Sequence, residues 1–201
     1  MVEHQLRARG IEDERVLEAM ARVPRELFVP EEFRERAYDD AALPIGADQT
    51  ISQPYMVARI CAELHLRGHE RVLDVGTGSG YQAAVLAELA HEVHSLERIP
   101  ELAAHARVSI ERAGYAGRVT VHVADGTHGL PQNAPYGGIA VAAAASDPPP
   151  PLLDQLDLGA RLVIPVGSRY QQVLKVFERT AEGSVEFGVV PCRFVPLVED
   201  G

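Results

Sequence analysis

The sequence predicts an α/β protein built on a mostly parallel, seven-stranded sheet with helices on both faces. Three observations support this fold class. From Arg71 onward, short apolar segments alternate with segments of helical periodicity over about 100 residues, an order typical of parallel sheets. A glycine-rich turn separates the first strand from the first helix of that run. The last two strand-like segments have no helix between them, which predicts an antiparallel pair.

The strand boundaries follow from short apolar runs between turn residues, and the helix boundaries from apolar residues that recur every three or four positions. The predicted strands are 71–75, 92–97, 118–125, 137–145, 161–167, 172–180 and 184–198. The predicted helices between them are 79–90, 101–114 and 151–156. Ligands of such sheets bind beside the carboxyl ends of the strands, so we expect functional residues there.

The N-terminal part of the chain predicts a helical extension. Apolar residues at helical spacing predict a helix over Glu12–Val23, and Pro24 then begins a stretch of short, broken helices. Residues 38–52 contain Pro, Gly, Asp and Thr without periodicity, so we expect a long loop of functional importance. Pro54 begins a further helix, which we expect to end at Gly68.

No linker or internal repeat divides the chain, so we expect a single domain over residues 1–201. Within it, 1–67 form the N-terminal helical segment, and 68–201 form the core and the C-terminal antiparallel strands. We also expect a monomer.

The composition excludes several classes of protein. The net charge is −10, and 29 acidic residues outnumber 19 basic ones, which excludes a large nucleic-acid interface. The sequence contains neither an apolar run of the roughly 20 residues that span a membrane nor an N-terminal signal segment. We therefore expect a cytoplasmic protein without membrane contact. The two cysteines lie far apart and outside any metal-ligand spacing, so we expect no metal site.

The strongest motif is the segment D-V-G-T-G-S-G at residues 74–80. Its glycines let the backbone turn tightly and let a ligand approach the N–H groups of the next helix. Gly78–Ala83 formally fits a dinucleotide fingerprint, so a dinucleotide is one alternative. The acid before the loop instead resembles motif I of class I S-adenosylmethionine-dependent methyltransferases, in which Asp74 would bring negative charge to the amino acid end of the cofactor. The loop residues that this resemblance assigns to the cofactor are Gly76, Thr77, Gly78, Ser79 and Gly80.

Two more acidic residues end the next two predicted strands. Glu97, which is followed by Arg98, offers two acceptor oxygens for the two hydroxyls of a ribose. In the class that the motif resembles, an acid in the place of Asp125, before Gly126, meets the adenine amino group. Three acids at successive strand ends beside one glycine loop indicate S-adenosylmethionine as the cofactor and S-adenosylhomocysteine as its product.

Most of the chain resembles the protein-L-isoaspartate O-methyltransferase family. The segments that carry this resemblance are 37–58, 74–82, 95–98, 152–156, 162–167 and 193–197, and T-I-S-Q-P and R-F-V-P-L within them are the most specific. The resemblance implies a Rossmann-like methyltransferase fold and methyl transfer to the α-carboxylate of L-isoaspartyl residues, as the first step of repair. The implied partners are damaged proteins and peptides that contain isoaspartate.

Ser52 matches the active-site serine of that family. The resemblance implies that its hydroxyl aligns the substrate carboxylate, and that Thr50 and Ile51 supply backbone contacts to cofactor and substrate. A carboxylate with a pKa near 4 is already ionised at neutral pH, so orientation rather than acid–base catalysis is what the reaction needs. A second interpretation of Ser52 is that it caps the helix beginning at Pro54.

The sequence departs from the family pattern at three places. Ala124 stands where a glycine is usual, Gly137 where an aspartate is usual, and Ala142 where threonine is frequent. These departures leave open a methyltransferase that acts on ordinary Asp in a dedicated peptide partner, and a non-catalytic protein that binds S-adenosylmethionine. The loop Ser146–Pro149 also resembles that of adenine N-methyltransferases, but it lacks their aromatic residue.

Overall fold

The computed structural model describes residues 1–168 and 170–198, and its N-terminal part packs beside the first core helix. The elements of this part are α1 (Glu14–Arg22), the strands β1 (Leu43–Gly46) and β2 (Gln49–Ile51), and α2 (Pro54–Glu63), with short 3-10 turns between α1 and β1. Helix α1 begins where the Asp13 carboxylate accepts hydrogen bonds from the N–H groups of Arg15 and Val16. Its apolar residues are buried, as their spacing predicts.

A seven-stranded sheet forms the core, and this confirms the predicted fold class. Its strands are β3 (Arg71–Val75), β4 (Glu92–Glu97), β5 (Val119–Val123), β6 (Tyr136–Val141), β7 (Leu156–Gly167), β8 (Gln172–Thr180) and β9 (Gly183–Cys192). The strand order is β5-β4-β3-β6-β7-β8-β9. The first five pair in parallel, whereas β8 is antiparallel to both of its neighbours.

The topology creates a crevice at one edge of the sheet. From β3 the chain continues outward to β4 and β5, and it then returns to place β6 on the other side of β3. Successive strands are thus added first on one side of β3 and then on the other, and such a switch point leaves a crevice beside the carboxyl ends of the strands. Val75, Glu97 and Val141 end three adjacent strands there.

The two faces of the sheet are covered unequally. The core helices are α3 (Tyr81–Leu89), α4 (Pro100–Arg112) and α5 (Pro150–Asp154). Helices α1 to α4 share one apolar cluster with Val72, Val93 and Ala140 of the sheet. The opposite face, which includes Leu73 and Val75, packs against α5 and the irregular segments on that side.

The structure differs from the sequence prediction at two elements that border the crevice. The segment 38–52 is not wholly a loop, because β1 and β2 form an antiparallel hairpin whose turn residues Ala47 and Asp48 have φ values of 49° and 56°. Left-handed conformations are rare for residues other than glycine, so the sequence gives little sign of this turn. The last strand ends at Cys192 rather than 198, and the chain then returns toward β6.

In the part of the chain that the structure describes, we find no helix with the length and apolar composition that a membrane span requires.

Candidate active site

A cavity lies in the crevice at the carboxyl ends of the parallel strands. It encloses about 970 Å³ of empty space, part of which is open to solvent. Its lining comes from the second strand of the hairpin, the first turn of α2, the glycine loop with the first turn of α3, the end of β4, the turn after β5, the segment after β6 and the C-terminal segment. The fold thus brings together residues that are far apart in sequence.

Most of the residues predicted for the site line this cavity. They are Thr50, Ile51, Ser52, Gly76, Thr77, Gly78, Ser79, Glu97, Arg98 and Gly126. Asp74, Gly80 and Asp125 are not among the described residues that line it, although each lies next to a lining residue in sequence or space.

Hydrogen bonds from the backbone of the glycine loop to strand β4 hold this loop in place. The N–H groups of Gly76 and Thr77 both donate to the carbonyl oxygen of Leu96 on β4, at 2.9 and 3.0 Å. Gly80 has a φ of 89° and is the N-cap of α3, a conformation that favours glycine. The loop therefore wraps around the end of β3 and presents its backbone to the cavity.

Glu97 joins the glycine loop to the next strand. The side chain is 6% exposed, and its Oε2 accepts a hydrogen bond from the Gly78 N–H at 2.8 Å while its Oε1 accepts one from the Ile99 N–H at 3.0 Å. Each carboxylate oxygen has two lone pairs, so each keeps one acceptor position for a ligand. The carboxylate is thus fixed in orientation and can still accept from two hydroxyl groups.

Asp74 lies behind the glycine loop and is fully buried. Its Oδ1 accepts from Gln82 Nε2 at 2.8 Å, and its Oδ2 accepts from Ser95 Oγ at 2.7 Å. Ser95 Oγ also lies 2.6 Å from Thr77 Oγ1. Burial raises the pKa of Asp74 to about 6, although the hydrogen bonds from Ser95 and Gln82 oppose this shift. Asp74 itself does not line the cavity, but its hydrogen-bond partner Gln82 does.

Asp125 and Gly126 follow β5 at the adjacent strand end. The Asp125 carboxylate accepts from both the N–H and the Oγ1 of Thr127, at 2.8 and 2.7 Å, and so caps a 3-10 turn. Gly126 lies at the wall of the cavity and packs closely on the Val75 side chain, which leaves no room for a Cβ. Asp125 thus stabilises the turn that places Gly126 in the wall.

Ser52 lies on the cavity wall between the hairpin and α2. Its carbonyl oxygen accepts a hydrogen bond from Nη2 of Arg25 at 2.7 Å. The interpretation of Ser52 as the cap of the helix at Pro54 is wrong, because Gln53 is the N-cap and makes no side-chain cap hydrogen bond. Within the described residues, no hydrogen bond engages the Ser52 hydroxyl.

Two further segments pack beside residues that line the cavity. On one side, Ile45 of the hairpin lies close to the glycine loop, since its Cδ1 is 3.3 Å from the place where a Cβ on Gly78 would lie. On the other side, the Ala144 N–H donates to the carbonyl of Val195, and the Leu197 N–H donates to the carbonyl of Ala144, both at 2.7 Å. The C-terminal R-F-V-P-L segment therefore forms a wall of the cavity rather than the end of the sheet.

The departures from the family pattern fall in different places. Gly137 lies near the start of β6, away from the strand ends that border the cavity, and a Cβ there would lie 2.5 Å from Cγ of Glu70. Its effect is on packing at the opposite edge of the sheet. Ala142, by contrast, lines the cavity next to Gly76.

Several residues of the cavity were not predicted from the sequence. They are Gln49, Val57, Tyr81, Gln82, Leu96, Ile99, Ala143 and Val198. The sequence could have indicated Gln82, because this amide lies in a helix whose other residues are mostly apolar. The remaining residues are apolar or adjacent to predicted ones, and their sequence pattern does not separate them from the core.

The sheet, the glycine loop and the Glu97 carboxylate, which can accept hydrogen bonds from the two hydroxyls of a ribose, together define a class I S-adenosylmethionine-dependent methyltransferase. The comparisons with known proteins narrow this class. The sequence profile of the family described as protein-L-isoaspartate(D-aspartate) O-methyltransferase matches residues 1–201, and the chain belongs to that family.

Individual relatives agree with this assignment over nearly their whole length. The chain is 54% identical over 198 residues to protein-L-isoaspartate O-methyltransferase 1 of Syntrophobacter fumaroxidans, covering 98% of this chain and 92% of the relative. It is 55% identical over 204 residues to protein-L-isoaspartate O-methyltransferase 2 of Marinobacter nauticus, covering 100% and 93%. A crystal structure from Plasmodium falciparum, described as a protein-L-isoaspartate O-methyltransferase in complex with S-adenosyl-L-homocysteine, matches with a TM-score of 0.85 at 26% identity, covering 99% of this chain and 97% of that chain.

Proposed function

We propose that this protein transfers a methyl group from S-adenosylmethionine to the α-carboxylate of L-isoaspartyl residues in damaged proteins and peptides. The observation that carries the proposal is the position of Ser52, which lies in one cavity with the glycine loop and Glu97. A substrate carboxylate held by this hydroxyl would lie beside the cofactor site. Family membership names the substrate, and the cavity supplies the geometry.

The residues of the cavity fit S-adenosylmethionine. Glu97 keeps two acceptor positions for the ribose hydroxyls, and the glycine loop presents bare backbone beside it. When bound, S-adenosylmethionine supplies a methyl group on a positively charged sulfur, which an oxygen nucleophile can attack.

The protein's own task in this reaction is orientation. The substrate carboxylate is ionised at neutral pH, so no base is required to activate it. The Ser52 hydroxyl can donate a hydrogen bond to one carboxylate oxygen and leave the other free to react. The apolar wall residues of the cavity, such as Leu96 and Val195, exclude water that would otherwise solvate the nucleophile.

Methyl transfer to two synthetic peptides tests the proposal. They differ only in L-isoaspartate against L-aspartate at one position, and the methyl group of S-adenosylmethionine carries the label. We expect label on the isoaspartyl peptide alone. Label on the aspartyl peptide alone would favour a dedicated partner, and label on neither, with cofactor binding intact, would favour a non-catalytic protein.

Replacing Ser52 by Ala is expected to lower kcat for the isoaspartyl peptide about tenfold to a hundredfold, because a hydrogen bond to a charged group contributes roughly 1.5–3 kcal/mol. The dissociation constant of S-adenosylhomocysteine should change little, since the hydroxyl faces the substrate. Ser184→Ala, on the exposed start of β9, is the matched control. Equal turnover of Ser52→Ala and the parent protein would contradict the assigned role.

Replacing Glu97 by Gln is expected to weaken S-adenosylhomocysteine binding about tenfold to a hundredfold, because the amide offers one acceptor atom where the carboxylate offers two. Calorimetry measures the dissociation constant directly. Glu92→Gln is the matched control, since Glu92 begins the strand that Glu97 ends and its carboxylate faces Arg71 at the opposite edge of the sheet. An unchanged dissociation constant in Glu97→Gln would remove Glu97 from the cofactor site.

We further propose that the protein acts in the cytoplasm as a monomer, without nucleic acid or membrane as a partner. The net charge of −10 supports the absence of a nucleic-acid partner. Sedimentation analysis of the purified protein tests the monomer, and a species of twice the mass at micromolar concentration would contradict it.

A further inference from the structure

Arg9, near the N-terminus, contacts both ends of the chain segment that carries Ser52. Its Nη1 donates a hydrogen bond to Oδ2 of Asp40 at 2.7 Å. Its Cζ also lies 3.6 Å from the centre of the Tyr55 ring, which is largely buried. Asp40 precedes the β1–β2 hairpin and Tyr55 follows Ser52, so one guanidinium group joins the chain before the hairpin to the chain after Ser52.

The backbone that carries Arg9 is anchored on both sides. Leu6 and Ile11 are buried in the apolar cluster of the helices, and the Ile11 N–H donates to the carbonyl of Leu6 at 3.2 Å. Gly10 lies between them with a φ of 84°, a conformation that favours glycine and turns the chain. The guanidinium of Arg9 therefore extends from a part of the chain that the core holds in place.

The segment 41–54, between the two contacts of Arg9, forms one side of the cavity. It contains the hairpin and four lining residues, Gln49, Thr50, Ile51 and Ser52. Arg25 holds the base of this segment from the interior, through the carbonyls of Ala37 and Ser52. Arg9 makes the corresponding connection at the surface, so two arginines hold the two ends of the segment together.

We propose that Arg9 is a positioning residue for methyl transfer, which holds Asp40 and Tyr55 together and thereby keeps Ser52 where the substrate carboxylate binds. The inference rests on the proposed function, because it assigns Arg9 a part in presenting Ser52 to that substrate. Arg9 is not among the described residues that line the cavity, so it acts through the segment 41–54.

The residue type fits this role. A guanidinium group is flat, so its face can stack on an aromatic ring while the N–H groups at its edge donate to a carboxylate. The ammonium group of lysine has no flat face, so it can pair with Asp40 without reproducing the stacking on Tyr55. Arg9→Lys therefore keeps one of the two contacts, whereas Arg9→Ala removes both.

The test measures kinetics and hydrogen exchange on the same proteins. Arg9→Ala is expected to lower kcat for the isoaspartyl peptide about tenfold, because a small displacement of an orienting group is costly while Arg25 still holds the interior side. Arg9→Lys is expected to lower kcat about threefold, since the ion pair remains. Amide hydrogen exchange in 41–54, followed by mass spectrometry, should become faster in Arg9→Ala.

Cofactor binding separates this effect from a general loss of structure. The dissociation constant of S-adenosylhomocysteine should change little in Arg9→Ala, because the glycine loop and Glu97 are held by their own hydrogen bonds. Arg7→Ala is the matched control. Arg7 is 42% exposed and Arg9 41%, but the ion pairs of Arg7 are with Glu3 and Glu14, outside the segment. Arg7→Ala is expected to keep the parent kcat and the parent exchange rates.

Four results would overturn the proposal. Unchanged hydrogen exchange in 41–54 would show that Arg9 does not hold the segment. Faster exchange with the parent kcat would show that this hold does not position Ser52, and equal losses of kcat in Arg7→Ala and Arg9→Ala would indicate a general effect of the N-terminus. If Arg9→Ala fails to fold, the parent kcat in Arg9→Lys overturns the proposal. Absence of methyl transfer by the parent protein would instead overturn the proposed function, and this inference with it.

Discussion

Replacing Asp74 by Asn is expected to stabilise the ligand-free protein by about 3 kcal/mol at pH 8, because the folded state holds an ionised carboxylate that burial disfavours. Burial raises the pKa of Asp74 from 3.8 to about 6. The folded state therefore binds the proton more tightly than the unfolded state, and the stability falls as the pH rises from about 4 to about 6. Above about pH 6 the full loss of folding stability caused by the ionised Asp74 is present.

The asparagine side chain can keep the surrounding hydrogen bonds. Its Oδ1 can accept from Gln82 Nε2, and its Nδ2 can donate to Ser95 Oγ, whose own hydrogen then turns toward Thr77 Oγ1. The substitution therefore removes the charge with little change of shape. The increase in stability arises because asparagine cannot ionise. It therefore depends on pH, whereas an effect of packing would not.

Urea unfolding of both proteins at pH 5 and pH 8 measures this prediction. The stability difference between them should be roughly half as large at pH 5, where the carboxylate of the parent protein is partly protonated. Asp147→Asn, which changes an exposed carboxylate, shows the effect of the same substitution at the surface. A difference that is the same at both pH values would exclude the buried charge as its cause.

The same variant is expected to bind S-adenosylmethionine more weakly than the parent protein. The cofactor carries positive charges at its amino acid end and at sulfur, and the ionised Asp74 lies behind the wall that would receive them. A substitution that raises stability and lowers affinity is characteristic of a residue retained for binding. Calorimetry on the proteins used for unfolding measures this second effect.

The sequence predicts the sheet well because the parallel strands are short, apolar and separated by helices. Glu97 is found for the same reason, since the last residue of a parallel strand lies at the edge where ligands bind. The hairpin 43–51 is missed because it depends on Ala47 and Asp48 in a left-handed conformation, to which their residue types contribute little. Its position over Gly78 is set by tertiary contacts that no local pattern contains.

The position of Asp74 shows a second limit of prediction from sequence. Its place before the glycine loop predicts a negative charge near the cofactor, and in the structure its carboxylate lies buried behind this loop. Alternation along β3 cannot say whether the carboxylate reaches the cavity or lies behind it, because this strand is buried on both faces. The orientation is decided by Gln82 and Ser95, one from the next helix and one from the next strand.

The second prediction with a large expected effect concerns Arg25. The sequence around this residue does not indicate that its side chain is buried. The side chain is fully buried, where its Nε donates to the carbonyl of Ala37 and its Nη2 donates to the carbonyl of Ser52, both at 2.7 Å. Its Cζ lies 4.6 Å from the centre of the Tyr81 ring. Burial lowers the pKa of Arg25, and among the described residues no carboxylate pairs with it.

Replacing Arg25 by Met is expected to lower the free energy of unfolding by about 2–4 kcal/mol. The substitution leaves two interior carbonyl oxygens without donors and removes the contact with Tyr81, and both effects destabilise. Removal of a desolvated charge acts in the opposite direction and keeps the net loss moderate. Arg34→Met is the matched control, because Arg34 is exposed and pairs with the exposed Glu31, where a loss of at most about 1 kcal/mol is expected.

Arg25→Met is expected to lower kcat by a larger factor than it lowers the affinity for S-adenosylhomocysteine. Arg25 fixes the backbone at Ser52, and a displacement of about 1 Å at a group that orients substrate can lower kcat about a hundredfold. The glycine loop and Glu97 are anchored by their own hydrogen bonds on β3 and β4, so the affinity for S-adenosylhomocysteine should change little. A folded Arg25→Met protein with the parent kcat would show that Ser52 is held in place without this arginine, and proportional losses in kcat and affinity would indicate a general loss of structure.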